Sequence, residues 1–406
     1  MATTPSGRHA RSFSGANSPI DPRGRSCLKW ESGSRLWGLR NLNFKFAIVS
    51  DLHVAVPHTI WDHPGRFHLV EVSIPALESI LDRLSGLDLD FLLVPGDLTQ
   101  HGEPDNHAWL SRRFARLPYP VYAIPGNHDI PVPHGDDTSI APEAFPGYYR
   151  HCGYEGTDEL YYTREILPGV RLVGLNSNPF DENGVQQGYL DEAQLAWLQD
   201  VLADTRDELV LVMVHHNVVE HVPYQSKTPM GKRYMLDNAP ELLRILRSAG
   251  VRLVFTGHLH AQDIACDRGV YDITTGSLVS YPHPYRILEF RTDSWGCQWL
   301  QIQSERVVSV PGWSSLPRMS RQWMGDRSRP FMLRLLTEHP LNLSLEEAEP
   351  LVRHLRYFWA DIADGDAHFE FPHFPPGIRQ FFESFSAIDD RGVFCAIDNH
   401  IALKLQ

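Results

Sequence analysis

The chain has 406 residues, 42% of them hydrophobic and 21% charged, with a formal net charge of −13. It is long enough for a large core, has no apolar run of membrane-spanning length, and is too acidic to be a general binder of nucleic-acid polymers. Its five cysteines (Cys27, Cys152, Cys266, Cys297, Cys395) are scattered without a CxxC pair, which favours reduced thiols in a cytoplasmic protein and leaves oxygen and imidazole as the metal donors.

Residues 1–40 carry seven Lys/Arg against two Asp/Glu and are rich in Ser, Gly and Pro. They are expected to form a disordered or poorly ordered tail, with no apolar segment of the secretory kind. From residue 43 a rhythm begins. Short β-rich runs are predicted at 44–50, 91–95, 121–125, 171–176, 209–214, 252–256 and 270–275. Two further runs, 286–290 and 298–302, are close together and read as antiparallel. Between them, Ile74, Leu77, Ile80, Leu81 and Leu84 share one helical face. Asp191-Glu-Ala-Gln194 and Asn238-Ala-Pro-Glu241 have the spacing of capping boxes, and Gly250 is a helix stop. Alternating strands and helices predict an α/β fold with largely parallel pairing, made mixed by the late strands.

The main α/β domain is expected over 41–303, and residues 304–406 read as a C-terminal cap or accessory domain. In that last part a helix is predicted over 344–363, with Leu345, Ala348, Leu351, Leu355 and Phe358 on one side. An aromatic, Pro-broken stretch over 369–376 follows, then a helix near 377–386 and a strand near 393–397. The aromatic stretch is expected to pack rather than to cover a site or join two copies.

Five of the predicted strands end in polar motifs. Asp51-Leu-His53 follows the first, and residues i and i+2 at a strand end point the same way. Gly96-Asp97, Gly126-Asn-His-Asp129, His215-His216 and Gly257-His-Leu-His260 end four others. Carboxyl ends of strands line the ligand crevice of open α/β sheets. The glycines allow tight turns that bring a ligand close. Each motif alone is as readily a turn or a packed histidine; the ordered set is not.

The order DxH, GD, GNHD, H, GHxH resembles the calcineurin-like metallophosphoesterases over about 43–303. Within that family Gly96-Asp-Leu-Thr-Gln-His-Gly102 is most similar to the cyclic-nucleotide phosphodiesterase branch. The resemblance implies a four-layer sandwich of two mixed β-sheets flanked by helices, here with a small, mainly helical C-terminal appendage. It implies two divalent or mixed-valence ions of Mn, Fe, Zn or Co. One would take Asp51, His53, Asp97 and His260; the other would take Asp97, Asn127, His215 and His258. Asp97 then bridges them, and His215 is preferred to His216. His128 is the implied catalytic residue that binds no metal, with Asp129 either orienting it or serving the turn. The implied reaction is attack on phosphorus by a hydroxide bridging the metals.

The substrates expected are small phosphodiesters or nucleotides, 3′,5′-cyclic nucleotides among them. A broad phosphomonoesterase or nucleotidase is the second reading, and a non-catalytic metal-binding scaffold is a third of another class. His215-His-Asn-Val218 departs from the HHPP of many small-diesterase relatives and leaves the substrate open. No membrane partner is expected, and an oligomer is open. Aromatic or imidazole side chains in the loop over 54–67 (His58, Trp61, His63), and Tyr148, Tyr149, Tyr281 and His283, are candidates for substrate contact, with packing as the preferred role.

Overall fold

The computed structural model describes residues 41–61, 66–389 and 391–405; the tail expected over 1–40, and His63, lie outside the described residues. The elements run β1 (Asn43–Ile48), α1 (Ser73–Ser85), β2 (Phe91–Val94), α2 (Pro104–Phe114), β3 (Val121–Ala123), α3 (Phe145–Tyr148), β4 (Tyr162–Leu167) and β5 (Val170–Gly174). Next come α4 (Glu192–Asp204), β6 (Leu209–Met213), α5 (Pro229–Lys232), α6 (Ala239–Ala249), β7 (Leu253–Thr256), β8 (Asp263–Asp267), β9 (Val270–Thr274), β10 (Pro284–Thr292) and β11 (Gln298–Arg306). The last part holds α7 (Leu316–Thr337), α8 (Leu345–Val352), α9 (Phe358–Asp364), α10 (Pro376–Glu383) and β12 (His400–Lys404).

Two six-stranded sheets result, in the orders β12-β11-β10-β1-β2-β3 and β4-β5-β6-β7-β9-β8. Pairing is parallel from β1 to β3 and from β5 through β6 and β7 to β9, and antiparallel toward β12, β4 and β8. The parallel central strands are buried throughout β2, β7 and β9, as parallel strands covered on both faces must be. The sheets pack face to face through one apolar cluster that takes Phe46 and Phe91 from one and Leu211 and Phe255 from the other. Helices α4 and α6 cover the outer face of the second sheet through Leu195, Leu198, Leu242 and Leu246. The fold is therefore α/β, two mixed sheets with flanking helices.

Both capping-box spacings mark true helix starts, but neither closes the reciprocal box: only Asp191 caps its helix. Asp191 accepts from the Gln194 N–H at 2.7 Å, while the Gln194 side chain bonds both backbone groups of Asn176. Asn238 bonds both backbone groups of Leu190 instead of capping α6. The box that does form was not expected: Ser344 and Glu347 cap each other at the start of α8.

The helix expected over 344–363 is two helices, α8 and α9, joined through a tight turn at Arg353–Leu355. The closing strand falls at His400–Lys404, not at 393–397, and it pairs with β11 at the edge of the first sheet. The fully buried Arg286 of β10 fastens this end: its guanidinium donates to the carbonyls of Asp398 (2.5 Å) and Thr274 (2.8 Å). Of the cysteines, Cys152 and Cys297 are free thiols. Cys266 is disulfide-bonded, against the expectation of reduced thiols throughout. Among the described residues no helix is long and apolar enough to cross a membrane.

Candidate metal centre

The loops leaving β1 and β2 run side by side. Asp51 N–H donates to the Gly96 carbonyl (3.2 Å) and His53 N–H to that of Asp97 (2.9 Å). Asp51, His53, Asp97, His258 and His260 all hold left-handed backbone, with φ between 41° and 66°. Such conformations cost of order 1–3 kcal/mol each and persist only where the surroundings enforce them. The turns leave no room for a side chain at the neighbouring glycines. A Cβ on Gly96 would run into the His215 ring, one on Gly126 into the Asp97 carboxylate, and one on Gly257 into Ser50 and Asp51.

These turns bring the predicted residues into two groups. Potential ligand atoms of Asp51, His53, Asp97 and His260 lie within 4.8 Å of one another, as do those of Asp97, His215 and His258. Asn127 Oδ1 lies 3.2 Å from His215 Nε2, which adds it to the second group. Asp97 is common to both, 1% exposed. Its Oδ2 lies 3.6 Å from His53 Nε2 and 3.4 Å from His215 Nε2, yet has no hydrogen-bond donor. The His215 ring can donate from Nδ1 to the Pro95 carbonyl at 2.9 Å, which turns an Nε2 lone pair toward that oxygen. Lone pairs that face one another in this way fit a cation.

Electrostatics agree. Burial disfavours ionised Asp97, but the imidazoles of His215 and His128 outweigh it and hold the carboxyl well below its usual range. Burial likewise opposes a charge on His215, yet Asp97 lifts that ring to about 9. A buried carboxylate that draws in a proton so strongly also favours a metal ion in its place. Burial keeps His53 and His258 neutral, aided by His68 beside the first and His216 beside the second, and neutral imidazole is the ligating form.

His128 stands at the edge of both groups. Its N–H donates to Asp97 Oδ1 (2.9 Å), and its ring Nδ1 can donate to the Gln100 carbonyl (2.8 Å), leaving Nε2 for the cleft. Asp129 does not orient this ring. Its carboxylate accepts from the N–H groups of Leu98 (3.0 Å), Thr99 (2.8 Å) and Gly126 (2.8 Å) and from the Thr99 hydroxyl (3.0 Å). It locks the β2 and β3 loops together, which is the turn role left open above. His216 bonds Ser177 Oγ (2.8 Å).

The other candidates divide. Tyr149 is buried with its hydroxyl on His107 (2.9 Å), Tyr281 donates to Asp364 (2.9 Å), and His283 bonds the Leu278 carbonyl (2.7 Å). Tyr148 packs on the His107 ring and His58 pairs with Asp105 at the surface (2.8 Å). Trp61 does line the cleft over the metal groups, a space of about 950 Å³.

Sequence reasoning missed His68. Its ring centroid lies 4.3 Å from that of His53 and 4.7 Å from that of His260. It carries no motif; it arrives because Leu69, anchored by its N–H on the Val279 carbonyl (2.8 Å), turns the chain back. His101 was also missed as a site residue: it stacks on His128 at 5.1 Å. Lys232 and Arg233 line the same cleft, with Lys232 Nζ 3.4 Å from the carboxylate of Asp237, which lines it too.

Residues 44–262, more than half of the chain, match the family described as calcineurin-like phosphoesterase. The chain belongs to that family. Among curated relatives of this phosphoesterase, a probable cyclic nucleotide phosphodiesterase of Rhodococcus erythropolis is 25% identical over 270 residues, 64% of this chain and 80% of that protein. A probable glycerophosphodiester phosphodiesterase of Arcobacter nitrofigilis is 27% identical over 175 residues, 42% of this chain and 56% of that one. Among solved structures, a dimetal phosphatase from Danio rerio is 17% identical, with a TM-score of 0.49, covering 65% of this chain and 96% of its own.

Proposed function

We propose that this metal-dependent phosphoester hydrolase cleaves small phosphodiesters at two metal ions. One would be held by Asp51, His53, Asp97 and His260, and the other by Asp97, Asn127, His215 and His258. The observation that carries the reading is Asp97: a buried carboxylate shared by two ligand groups, with an oxygen that has no donor. When bound, two divalent cations lower the pKa of water toward about 7 and neutralise phosphoryl oxygens. The donors are nitrogen and oxygen without thiolate, which suits Mn, Fe, Zn or Co better than Ca.

The chain's own residues do the rest. Two carboxylates against two dications and one hydroxide leave a site of small positive charge, matched to a monoanionic diester. Arg233 adds a cation to the cleft wall, while Lys232 is balanced by Asp237. His128, fixed through the Gln100 carbonyl, keeps Nε2 free to hold a proton for the departing ester oxygen or to bond a phosphoryl oxygen. Water's oxygen forms the new bond to phosphorus, the ester bond opposite it breaks, and the leaving oxygen takes the proton.

Cyclic nucleotides and glycerophosphodiesters, named for the relatives above, are the first substrates to assay. Protein reconstituted with Mn would be given bis(p-nitrophenyl) phosphate, p-nitrophenyl phosphate and cyclic AMP, with metal content measured alongside. Diester turnover above monoester turnover at two metals per chain is expected. Monoester turnover far above diester turnover would overturn the substrate class, and less than one metal per chain would overturn the two-ion site.

A further inference from the structure

The cleft has a second wall that no ligand motif supplies. Besides the candidate ligand histidines the cleft is lined by Phe67, Met324, Phe331 and Trp359, the last three from α7 and α9. The Trp323 indole donates to the Phe67 carbonyl at 3.1 Å and so fixes the Phe67 backbone. The Phe67 ring meets Phe331 edge-on at 6.5 Å, and Phe331 meets Trp359 at 5.3 Å. Phe67, Phe331 and Trp359 are only half-buried, so part of each ring remains open. Leu259, between the ligand histidines 258 and 260, is 1% exposed and packs in the same apolar cluster as Met332, Leu336 and Phe358. The wall is thus built onto the metal loop itself.

We propose that this wall takes a hydrocarbon arm, aryl or alkyl, of the phosphodiester substrate. The proposal rests on the diesterase reading and narrows it. An arm rich in hydroxyl groups would set those groups against rings and a thioether that cannot pair with them strongly, at a cost in binding. A hydrocarbon arm has nothing to leave unpaired and gains burial. The cleft, about 950 Å³, lies at the upper end of the sizes usual for small-molecule sites, so an arm of several carbons fits beside the phosphoryl group.

The test uses phosphodiesters that share a p-nitrophenyl leaving group and differ in the second arm: methyl, glyceryl or phenyl. Intrinsic reactivity is nearly constant between methyl and phenyl; the glyceryl hydroxyl can itself attack phosphorus, so each kcat/KM is compared after division by the uncatalysed rate of the same diester. The metal-loaded full chain should favour phenyl over methyl and glyceryl by about tenfold or more in kcat/KM, mainly through KM. Phe331→Ala and Trp359→Ala should bring the phenyl-to-methyl ratio toward one. Phe331→Leu and Trp359→Gln serve if the alanine variants melt early. Equal kcat/KM for the three arms in the parent, or a ratio unchanged in folded variants, would overturn the proposal. If p-nitrophenyl phosphate is cleaved and no diester is, the diesterase reading has failed. The wall is then judged by competition: octylphosphonate must inhibit about tenfold more tightly than methylphosphonate and lose that advantage in the variants. Equal inhibition would remove the wall as well.

Discussion

The strand-end loops and the C-terminal helices border the same cleft but are held by different forces. The loops rest on left-handed backbone at five proposed ligand positions, on glycines that tolerate no Cβ, and on the buried Asp129 carboxylate that ties two turns together. The helices rest on rings: Phe358, Phe369, Phe371, Phe374 and Phe382 pack at centroid distances of 4.6 to 6.2 Å. Polar geometry is specified residue by residue, whereas apolar packing accepts many side chains of suitable size. Damage to a loop should therefore appear in chemistry, and damage to a helix in stability and substrate choice.

The largest expected effect separates the two regions most sharply. Asp97→Asn keeps the shape but removes the charge shared by both ligand groups. Turnover should fall by about 10³-fold or more, and metal content measured by mass spectrometry should fall with it. A variant that keeps both metals would show that the bridge is not needed. His128→Ala sharpens the point. It should lose about 10²–10⁴-fold in kcat with metal content unchanged, since His128 reaches Asp97 through its backbone N–H, which alanine keeps. Near-full activity at saturating metal would end the acid role.

The same contrast explains what could be read in the sequence. Central strands were legible because parallel strands are apolar on both faces, and the candidate ligand clusters because their spacing is imposed by turns. Strands β4 and β8 were not: β4 is a half-exposed edge strand with Arg164 and Glu165 at its centre, and β8 begins and ends in Asp. Helix α7, 22 residues long, was missed because its buried face includes Ser320, Gly325 and Ser328 and its interior holds Pro330. The aromatic stretch over 369–374 packs as expected, and none of its rings lines the cleft. The run expected as a strand at 393–397 makes only an isolated antiparallel bridge, Ile388 to Phe394, and joins neither sheet; Val393 and Phe394 are 56% and 50% exposed. His68 and His101 show the limit for the site: a ring delivered by the course of a loop leaves no spacing to detect.

Leu259→Ala acts where the regions join. Truncating this buried side chain should cost about 2–5 kcal/mol, read from urea unfolding of the metal-loaded protein. Metal affinity should also weaken, because both neighbours are proposed ligands. A stability loss with metal affinity unchanged would mean that the helices support the cleft without positioning His258 and His260.

The smallest effect expected concerns His221, which links the two regions through charge. The ring is fully buried. Its Nδ1 donates to Asp263 Oδ2 at 2.8 Å, and its Nε2 lies 3.2 Å from Asp272 Oδ2 outside hydrogen-bonding alignment. Asp272 accepts from the N–H groups of Val218 and Val219, just beyond the ligand loop. On the other side the Asp263 carbonyl meets Arg286, which also holds the Asp398 carbonyl of the C-terminal segment. Burial opposes charge on His221, but Asp272 and Asp263 outweigh it and raise the ring from 6.5 to about 9. A raised folded-state value means that its contribution is whole below pH 6.5 and is lost as pH climbs through about 9, by at most about 3 kcal/mol. Unfolding free energy of the parent should therefore decline across that window. His221→Gln, which carries no proton to lose, should be less stable at pH 6 and show a flatter decline. Parallel slopes in parent and variant would mean that the imidazole is neutral and that the two carboxylates are balanced by other groups.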